Sequence, residues 1–473
     1  MINDLRDFIT VCEKQNELKR VNVEVDWDLE LSHISKLNEE KRGPALLFEN
    51  VKGYDIPVLS GALSTPKRLA VALGMPEDYT VCQMSRRWME LVTQAHIPPK
   101  EVPTGPAMEN VIEEEKVNLY SLPSPKFYPL DGGRYIGTAV SVITQDPETG
   151  WTNLGTYRMQ IMDENHTAVQ FVKGKHAGLM LEKYRQLGKP MPTVAVIGEA
   201  PILFLLSSTT APAGVSEYEI AGAIRGEPIE VIKSDFTGLL IPAAAEIVLE
   251  GEINSDPDSY VQEGPFGEYT GYYSGKKDEE WPKPCFKVKR ICHRNNPIFW
   301  TTSVGAPVTD THMLGAVQVS GSLWADLEQM RIPGIQSVYC PPETTGRLWA
   351  IVSVKQMYPG HSTHVATAVA GCTSGHYRLK GIIVVDDDIP ADDPSKVIWA
   401  LSVRFHPERG TQILRRTRGG PLDPAVPIEG RDMGSKIILD ACIPYEWERK
   451  PTKIELDKEV VELVQKRWKE YGL

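Results

Sequence analysis

The sequence predicts a mixed α/β (α+β) fold built in three sections. Three observations carry that reading: helix and strand signals alternate near the start, the centre is rich in short strands, and the last third holds a strand–loop–helix unit. In the first section, residues 1–115, Leu5, Phe8, Ile9 and Cys12 share one face of an amphipathic helix. Ala45-Leu46-Leu47-Phe48 reads as an apolar strand entering a Lys52-Gly53 turn. Ser64-Thr65-Pro66 then opens a helix through Leu73, with Pro in its first turn. The prolines at 98, 99, 103 and 106 mark a connector.

In the second section, residues 116–305, the segments 137–144, 151–162 and 202–206 read as strands, and 176–187 as a helix closed near Gly188-Lys189-Pro190. Short strands divided by Gly/Pro turns predict a barrel-like sheet. A linker helix lies within 306–330 and leads to the third section, 331–473. There Gly381-Ile382-Ile383-Val384-Val385 has the continuous apolar character of a strand buried on both faces. Asp386-Asp387-Asp388 follows as a loop, and Asp392-Asp393-Pro394 opens a helix over 395–401. Finally Val461, Val464, Trp468 and Tyr471 recur at helical spacing, a stripe suited to docking on the same chain or on a second subunit.

Composition narrows the function. The 473 residues, 41% of them hydrophobic, suffice for two or three cores. The net charge of −12, with acids and bases interspersed, argues against nucleic-acid binding through phosphate neutralisation. An anionic small molecule needs only a local cation such as Arg158. No apolar run reaches the roughly 18–20 residues that span a bilayer, so no membrane partner is expected. The start has no basic region followed by an apolar core, so no signal peptide is expected. Seven scattered Cys without a Cys-x-x-Cys pair read as reduced thiols of a cytoplasmic protein.

The chemistry concentrates in Glu263-Gly264-Pro265-Phe266-Gly267-Glu268, two carboxylates on either side of a Gly-Pro-x-Gly turn. Such a turn lets Glu263 and Glu268 converge on one cavity. Two carboxyls beside a cation can hold different protonation states, as proton delivery requires. Arg158 offers a fork that pairs with a carboxylate in two parallel hydrogen bonds. An Arg–Glu ion pair beside a tight turn is the plain structural alternative for these residues. Asn153, His176 and Glu217 offer two oxygens and one imidazole, a set suited to Mn²⁺ or Mg²⁺ near a phosphate rather than to a closed zinc site. Ser207-Ser208-Thr209-Thr210 could offer hydroxyls and amides to phosphate oxygens, or could simply be a polar strand end. His361-Ser362-Thr363-His364 reads as a turn, Asp386-Asp387-Asp388 as a solvated loop, and Arg415-Arg416-Thr417-Arg418 as a surface or subunit-interface loop.

These blocks carry a resemblance. Glu263–Tyr273 is similar to the core motif of the UbiD family of decarboxylases. Trp151-Thr152-Asn153-Leu154-Gly155-Thr156-Tyr157-Arg158 resembles the family's Trp/Gln-x-Asn-(x4)-Arg, and Ser216-Glu217-Tyr218-Glu219-Ile220-Ala221-Gly222-Ala223 resembles its Ser-Glu-Tyr-x-x-Ala-Gly-Ala. His176 falls at the family's spacing, and the resemblance runs from Asp4-Leu5-Arg6-Asp7-Phe8 to Leu473. It implies a central split β-barrel that binds prenylated FMN and a C-terminal oligomerisation section ending in a helix exchanged between subunits. It further implies Mn²⁺ held by Asn153, His176 and Glu217, a neighbouring K⁺, and flavin contacts around Trp151, Arg158 and Ser208. By the same analogy Glu268 is the proton donor, with Arg158 and Glu263 positioning the substrate and tuning that acid.

The expected activity is reversible, non-oxidative decarboxylation of an aromatic, heteroaromatic or α,β-unsaturated carboxylic acid. A flavin prenyltransferase would supply the cofactor, and a homo-oligomer, dimer or hexamer, is expected. Two alternatives stay open: an accessory UbiD-like subunit of a multi-subunit carboxylase, and a metal-dependent hydrolase using Asn153, His176 and Glu217. Trp151-Thr152-Asn153 and Thr309-Asp310-Thr311-His312 resemble the ferulic/cinnamic acid branch, whereas Glu268–Gly275 is more similar to the hydroxybenzoate branch. The latter places a Cys near Pro307-Val308, a departure that falls near the expected substrate pocket.

Overall fold

The computed structural model describes residues 2–93, 96–172, 174–209, 211–274 and 282–472; Thr210, Gly275 and Leu473, named above, lie outside them. Near the start, Leu5–Lys14 forms the expected amphipathic helix and buries Leu5, Phe8, Ile9 and Cys12. A four-stranded sheet follows, in the order Leu18–Val21, Ala45–Phe48, Val58–Ser60 and Phe299–Trp300. Its last strand returns from the end of the central section, so the first two sections share one continuous core. Thr65 caps the helix Pro66–Ala72 by accepting from the Arg68 N–H.

The centre is an open, curled half-barrel of antiparallel strands. Its order is Tyr135–Gly137, Met159–Ile161, His166–Val169, Cys285–His293, Ile247–Ile253, Met191–Ile197, Ser141–Gln145 and Thr152–Gly155, with Asn110–Glu113 added on Cys285–His293. Two expected strands are each divided. Residues 137–144 split into Tyr135–Gly137 and Ser141–Gln145, and 151–162 split into Thr152–Gly155 and Met159–Ile161. The second break, at Thr156-Tyr157-Arg158, takes Arg158 out of the ladder and frees its side chain for the site.

The expected strand at 202–206 is a helix, Pro201–Ser207, every residue of which is buried. A continuous apolar run fits a buried strand or a buried helix equally well, and here Pro201 supplies the fixed φ of a first helical position. The helix His176–Gln186 lies where the sequence placed it.

A 20-residue helix, Asp310–Gln329, packs on Val81–Val92 and leads to the last section. There a five-stranded sheet runs Ile335–Tyr339, Trp349–Val354, Gly381–Asp386, Met433–Asp440 and Thr411–Arg418. Its three central strands are parallel, with His361–Gly371 and Pro394–Val403 in the intervening connections. A separate buried cluster fills this section.

The segment 361–364, expected as a turn, is the first turn of the helix His361–Gly371; Gly360, at φ 78°, starts it in the left-handed region. Likewise 415–418, expected as a loop, belongs to the edge strand Thr411–Arg418, on which Arg415 and Arg416 are exposed. Charged side chains on an edge discourage further strand pairing. Asp386 ends its strand and shares Arg404 with Asp388, at 3.0 and 2.7 Å. The terminal helix, Lys458–Lys466, buries none of its residues. Its apolar stripe is therefore not docked on its own chain.

Candidate active site

Arg158 stands between Glu263 and Glu268. Its Nε and Nη2 each donate to one Glu263 oxygen at 2.8 Å, a two-bond fork. Its Nη1 donates to Glu268 Oε1 and, at 3.2 Å, to the Ser274 hydroxyl. The sequence-predicted convergence of the two carboxylates is thus on one guanidinium.

Local structure explains the arrangement. Gly264, at φ 93°, turns the chain where an L side chain would be strained, and its N–H donates to Gln160 Oε1 at 2.7 Å. A Cβ on Gly132 would collide with the Gly264 carbonyl, so the turn packs directly on backbone. Phe266-Gly267 then pairs with Tyr273-Ser274, which brings the Ser274 hydroxyl back to Glu268 Oε1 at 3.1 Å. Below lies a small apolar cluster of Phe127, Tyr135 and Phe266, with the Arg158 guanidinium 4.9 Å from the Phe266 ring centre.

The two carboxylates differ in how fully they are bonded. Both oxygens of Glu263 are taken, Oε1 accepting a further bond from Tyr135 OH at 3.0 Å. On Glu268 every bond falls on Oε1, and Oε2 has no partner among the described residues. Burial opposes the charge on Arg158, but Glu268 and Glu263 outweigh it and raise its pKa. Burial pushes Tyr135 up as well, so it remains a neutral donor. Lys283, on the strand opposite Val261, is pushed down to about 8 by burial. Asp131 accepts from the Gly267 and Tyr128 N–H groups at 2.9 Å each, and burial pushes it up to about 6.

Asn153, His176 and Glu217 also meet. Asn153 sits in the strand Thr152–Gly155, while His176 and Glu217 are the first residues of two helices aimed at that strand. His176 Nδ1 lies 3.1 Å from Asn153 Oδ1, and Glu217 Oε2 accepts from the Leu154 N–H at 2.8 Å. Burial and Lys175 hold His176 below its usual pKa, so the imidazole is neutral. With Nδ1–H donating to the amide oxygen, Nε2 keeps a lone pair. Burial pushes Glu217 up to about 8, since one N–H group does not compensate for lost water. Asn153 and Arg158 belong to one short stretch, at most about 18 Å of extended chain apart.

By their chemistry these residues could hold a cation beside an anion. Among the described residues, buried Trp151 Nε1, Asn153 Nδ2 and Ser216 Oγ have no hydrogen-bond partner. Ser216 is the N-cap of the helix Glu217–Arg225, yet its side chain makes no cap bond, and Lys175 makes none for the helix His176–Gln186. Free N–H groups at two helix starts suit an anion. A carboxylate, an amide oxygen and an imidazole suit a divalent cation such as Mn²⁺. A cavity of about 790 Å³ opens alongside, lined in part by Trp151, Thr152, His176 and Ser216. Arg158, Glu263 and Glu268 do not line it.

Ser208, expected among the flavin contacts, has two hydrogen-bond partners within the chain. It closes the helix Pro201–Ser207, donating to Leu205 O and accepting from Gln318 Nε2, both at 2.8 Å. Sequence reasoning also missed several residues. Gln160, two places beyond Arg158, was signalled only by its closeness in sequence. Tyr135 and Lys283 gave no local signal at all.

Three family models match in order: the 3-octaprenyl-4-hydroxybenzoate carboxy-lyase N-terminal domain at residues 9–88, its Rift-related domain at 100–307 and its C-terminal domain at 312–441. The vanillic acid decarboxylase of Sedimentibacter hydroxybenzoicus, in its open form, is similar at 31% identity and a TM-score of 0.89, covering 100% of this chain and 99% of that chain. The UbiD-class enzyme HmfF of Pelotomaculum thermopropionicum, solved with FMN, is similar at 28% identity and a TM-score of 0.87, over 97% of this chain and 98% of that one. An evolved dimeric form of HmfF carries prFMN. The 3,4-dihydroxybenzoic acid decarboxylase of Klebsiella pneumoniae matches at 26% identity and a TM-score of 0.84, over 97% and 99% of the two chains. Alike in structure from end to end, and matched section by section, this chain belongs to the UbiD family of carboxy-lyases.

Proposed function

We propose that this chain decarboxylates an aromatic carboxylic acid with prenylated FMN, Glu268 delivering the proton. The observation that carries the role is the contrast between the two carboxylates. Glu263 is saturated by Arg158 and Tyr135, whereas Glu268 Oε2 is unpartnered among the described residues. A saturated carboxylate holds geometry; one with a free oxygen can reach a reacting atom.

Arg158 keeps Glu263 on its Nε–Nη2 edge and presents Nη1 to the substrate carboxylate as Glu268 turns toward the substrate carbon. The bond between that carbon and the carboxylate breaks, carbon dioxide leaves, and a C–H bond forms with the proton of Glu268. The Glu268 carboxylate left behind takes a proton from solvent for the next turnover. Prenylated FMN, when bound, supplies the electron sink that no side chain offers. Asn153, His176 and Glu217 would hold Mn²⁺ against its phosphate, while Trp151 Nε1, Ser216 Oγ and the two helix starts would receive phosphate and cation ligands. A K⁺ ion beside this group completes the reading. HmfF with FMN and prFMN, and the two hydroxybenzoic-type decarboxylases, lend it support.

Co-expression with a flavin prenyltransferase, followed by mass measurement of the ligand released on denaturation, tests the cofactor. A prenylated FMN mass is expected. Plain flavin or none, with manganese present and the prenyltransferase active, would overturn the assignment. A second measurement isolates the metal. Manganese should raise the melting temperature of the wild-type chain, and Glu217→Gln should remove most of that shift while leaving the metal-free melting temperature nearly unchanged. An equal shift in both proteins would remove Glu217 from the ligand set.

A further inference from the structure

Glu39 and Asp310 are two buried carboxyls, 1% and 0% exposed, that the reaction does not use. Glu39 lies on the helix Glu30–Glu40, and Asp310 opens the helix Asp310–Gln329. Glu39 Oε2 accepts from the Ser303 hydroxyl at 2.5 Å, and Asp310 Oδ1 accepts from the Leu63 N–H at 2.8 Å. Glu39 Oε1 and Asp310 Oδ2 have no hydrogen-bond partner among the described residues. Both carboxyls meet the turn 61–64: a Cβ on Gly61 would come within 3.5 Å of Glu39 Oε1, and Leu63 holds Asp310.

The nearby cations are committed elsewhere. Lys36 Nζ donates to Ala306 O at 2.5 Å, while Arg68 donates to Glu17, Gly61 O, Ala62 O and Ser64 Oγ. Glu40, which Lys36 meets at 3.9 Å, Tyr128, kept neutral by burial and by Glu39, and His312, kept neutral by burial, are further ionisable groups here. Burial, and after it Asp310, drives Glu39 well above the usual carboxyl range, although Ser303, Lys36 and Arg68 pull the other way. Burial raises Asp310 too, against the Leu63 N–H, Thr302, Arg68 and the Ala62 N–H, which favour its charge. Glu39 is therefore the acid of the pair and Asp310 the carboxylate. One proton between two such carboxyls gives each idle oxygen a partner.

The pair lies behind the reacting group. Ala306 packs on Gly271, where an added Cβ would lie 3.2 Å from the Ala306 Cβ, and the Gly271 N–H donates to Glu268 O at 2.9 Å. Tyr128 donates its hydroxyl to Val304 O and lays its ring against Gly267. His312 Nδ1 accepts from the Thr309 N–H, so Nε2 carries the proton and donates to Tyr269 O at 2.7 Å. Residues 303–312 thus back the Glu268 turn.

We propose that Glu39 Oε1 donates one shared proton to Asp310 Oδ2, and that this bond latches the N-terminal section to residues 303–312 and so steadies the Glu268 turn. Glu39 is a positioning residue, acting on Glu268 only through Ser303 and Asp310. The positioning role rests on the decarboxylase reading; the shared proton stands apart from it. A carboxyl raised on folding stabilises fully below its unfolded value, and that contribution is lost as pH climbs through the raised one. Above it the pair becomes two buried anions. Glu39→Gln removes this dependence, since its amide oxygen accepts from Ser303 and its amide nitrogen donates to Asp310 at any pH.

Holoenzyme from co-expression with a flavin prenyltransferase is used throughout. Infrared difference spectra at neutral pH, wild type minus Glu39→Gln, should show a protonated-carboxyl band that only wild type carries. From about pH 6 to about pH 9 the melting temperature of wild type should fall several degrees further than that of Glu39→Gln. At the lower pH Glu39→Gln should turn over close to wild type, whereas Glu39→Leu, which has no donor, should be slower by about tenfold or more with its cofactor retained. If Glu39→Leu does not fold, the band and the pH comparison decide. Absence of the band, or equal losses with pH, would overturn the shared proton. A folded Glu39→Leu with wild-type turnover would overturn the positioning role. A rise in melting temperature with potassium or magnesium chloride, seen in wild type and missing in Glu39→Gln, would put a cation between the two oxygens in place of the proton. Wild type without turnover on any acid tried would end the decarboxylase reading and the positioning role with it, while band and melting still decide the shared proton.

Discussion

Glu268→Gln is expected to lower the turnover number by about 10²–10⁴-fold, the range general-acid groups contribute, while the protein retains its cofactor. The amide keeps the size of the side chain. Its oxygen can still accept from Arg158 Nη1 and Ser274 Oγ, the two contacts Glu268 Oε1 makes now. What disappears is the transferable proton. Turnover falls, then, without collapse of the network, and cofactor mass and melting temperature stay close to wild type. Glu263→Gln makes the informative contrast. Both Glu263 oxygens accept, one from two donors, so an amide nitrogen there must face a donor. That variant should lose stability as well as activity. Full turnover by folded Glu268→Gln would end its assignment as proton donor.

Much of this site was legible because its chemistry is local in sequence. The Glu263–Glu268 turn, the Asn153-to-Arg158 stretch and the Ser216-Glu217 helix start are short blocks whose residue types announce a task. Their convergence follows from barrel strands that return the chain repeatedly to one place. What escaped was set by tertiary packing. Residues 201–207 are apolar on every side, so periodicity could not tell a buried helix from a buried strand. Tyr135 reaches Glu263 only because its strand lies beside Met159–Ile161, a pairing that no local pattern encodes. The break at Thr156-Tyr157-Arg158 escaped for a related reason. Its residues suit a strand, and the departure from the ladder is imposed by neighbours: Thr156 turns its N–H to Ser207 O at 2.8 Å.

Arg158→Met is expected to lose activity and stability together. The side chains of Arg158 and Glu263 are 11% and 1% exposed, and the guanidinium serves both carboxylates. Removing it leaves buried negative charge without a partner, a change that costs about 3–5 kcal/mol where a buried pair is broken on one side. Melting temperatures of Arg158→Met should accordingly fall well below wild type. Adding Glu263→Met should recover part of the deficit, because the pair is then replaced by apolar groups rather than broken, and the double-mutant cycle should show a coupling above about 1 kcal/mol. Arg158→Lys separates charge from shape. It restores a positive charge but not the two-bond fork, so stability should return in part while turnover stays low. An Arg158→Lys enzyme with wild-type turnover would show that the fork is not needed in the reaction, and Arg158 would be left with only its hold on Glu263 and Glu268.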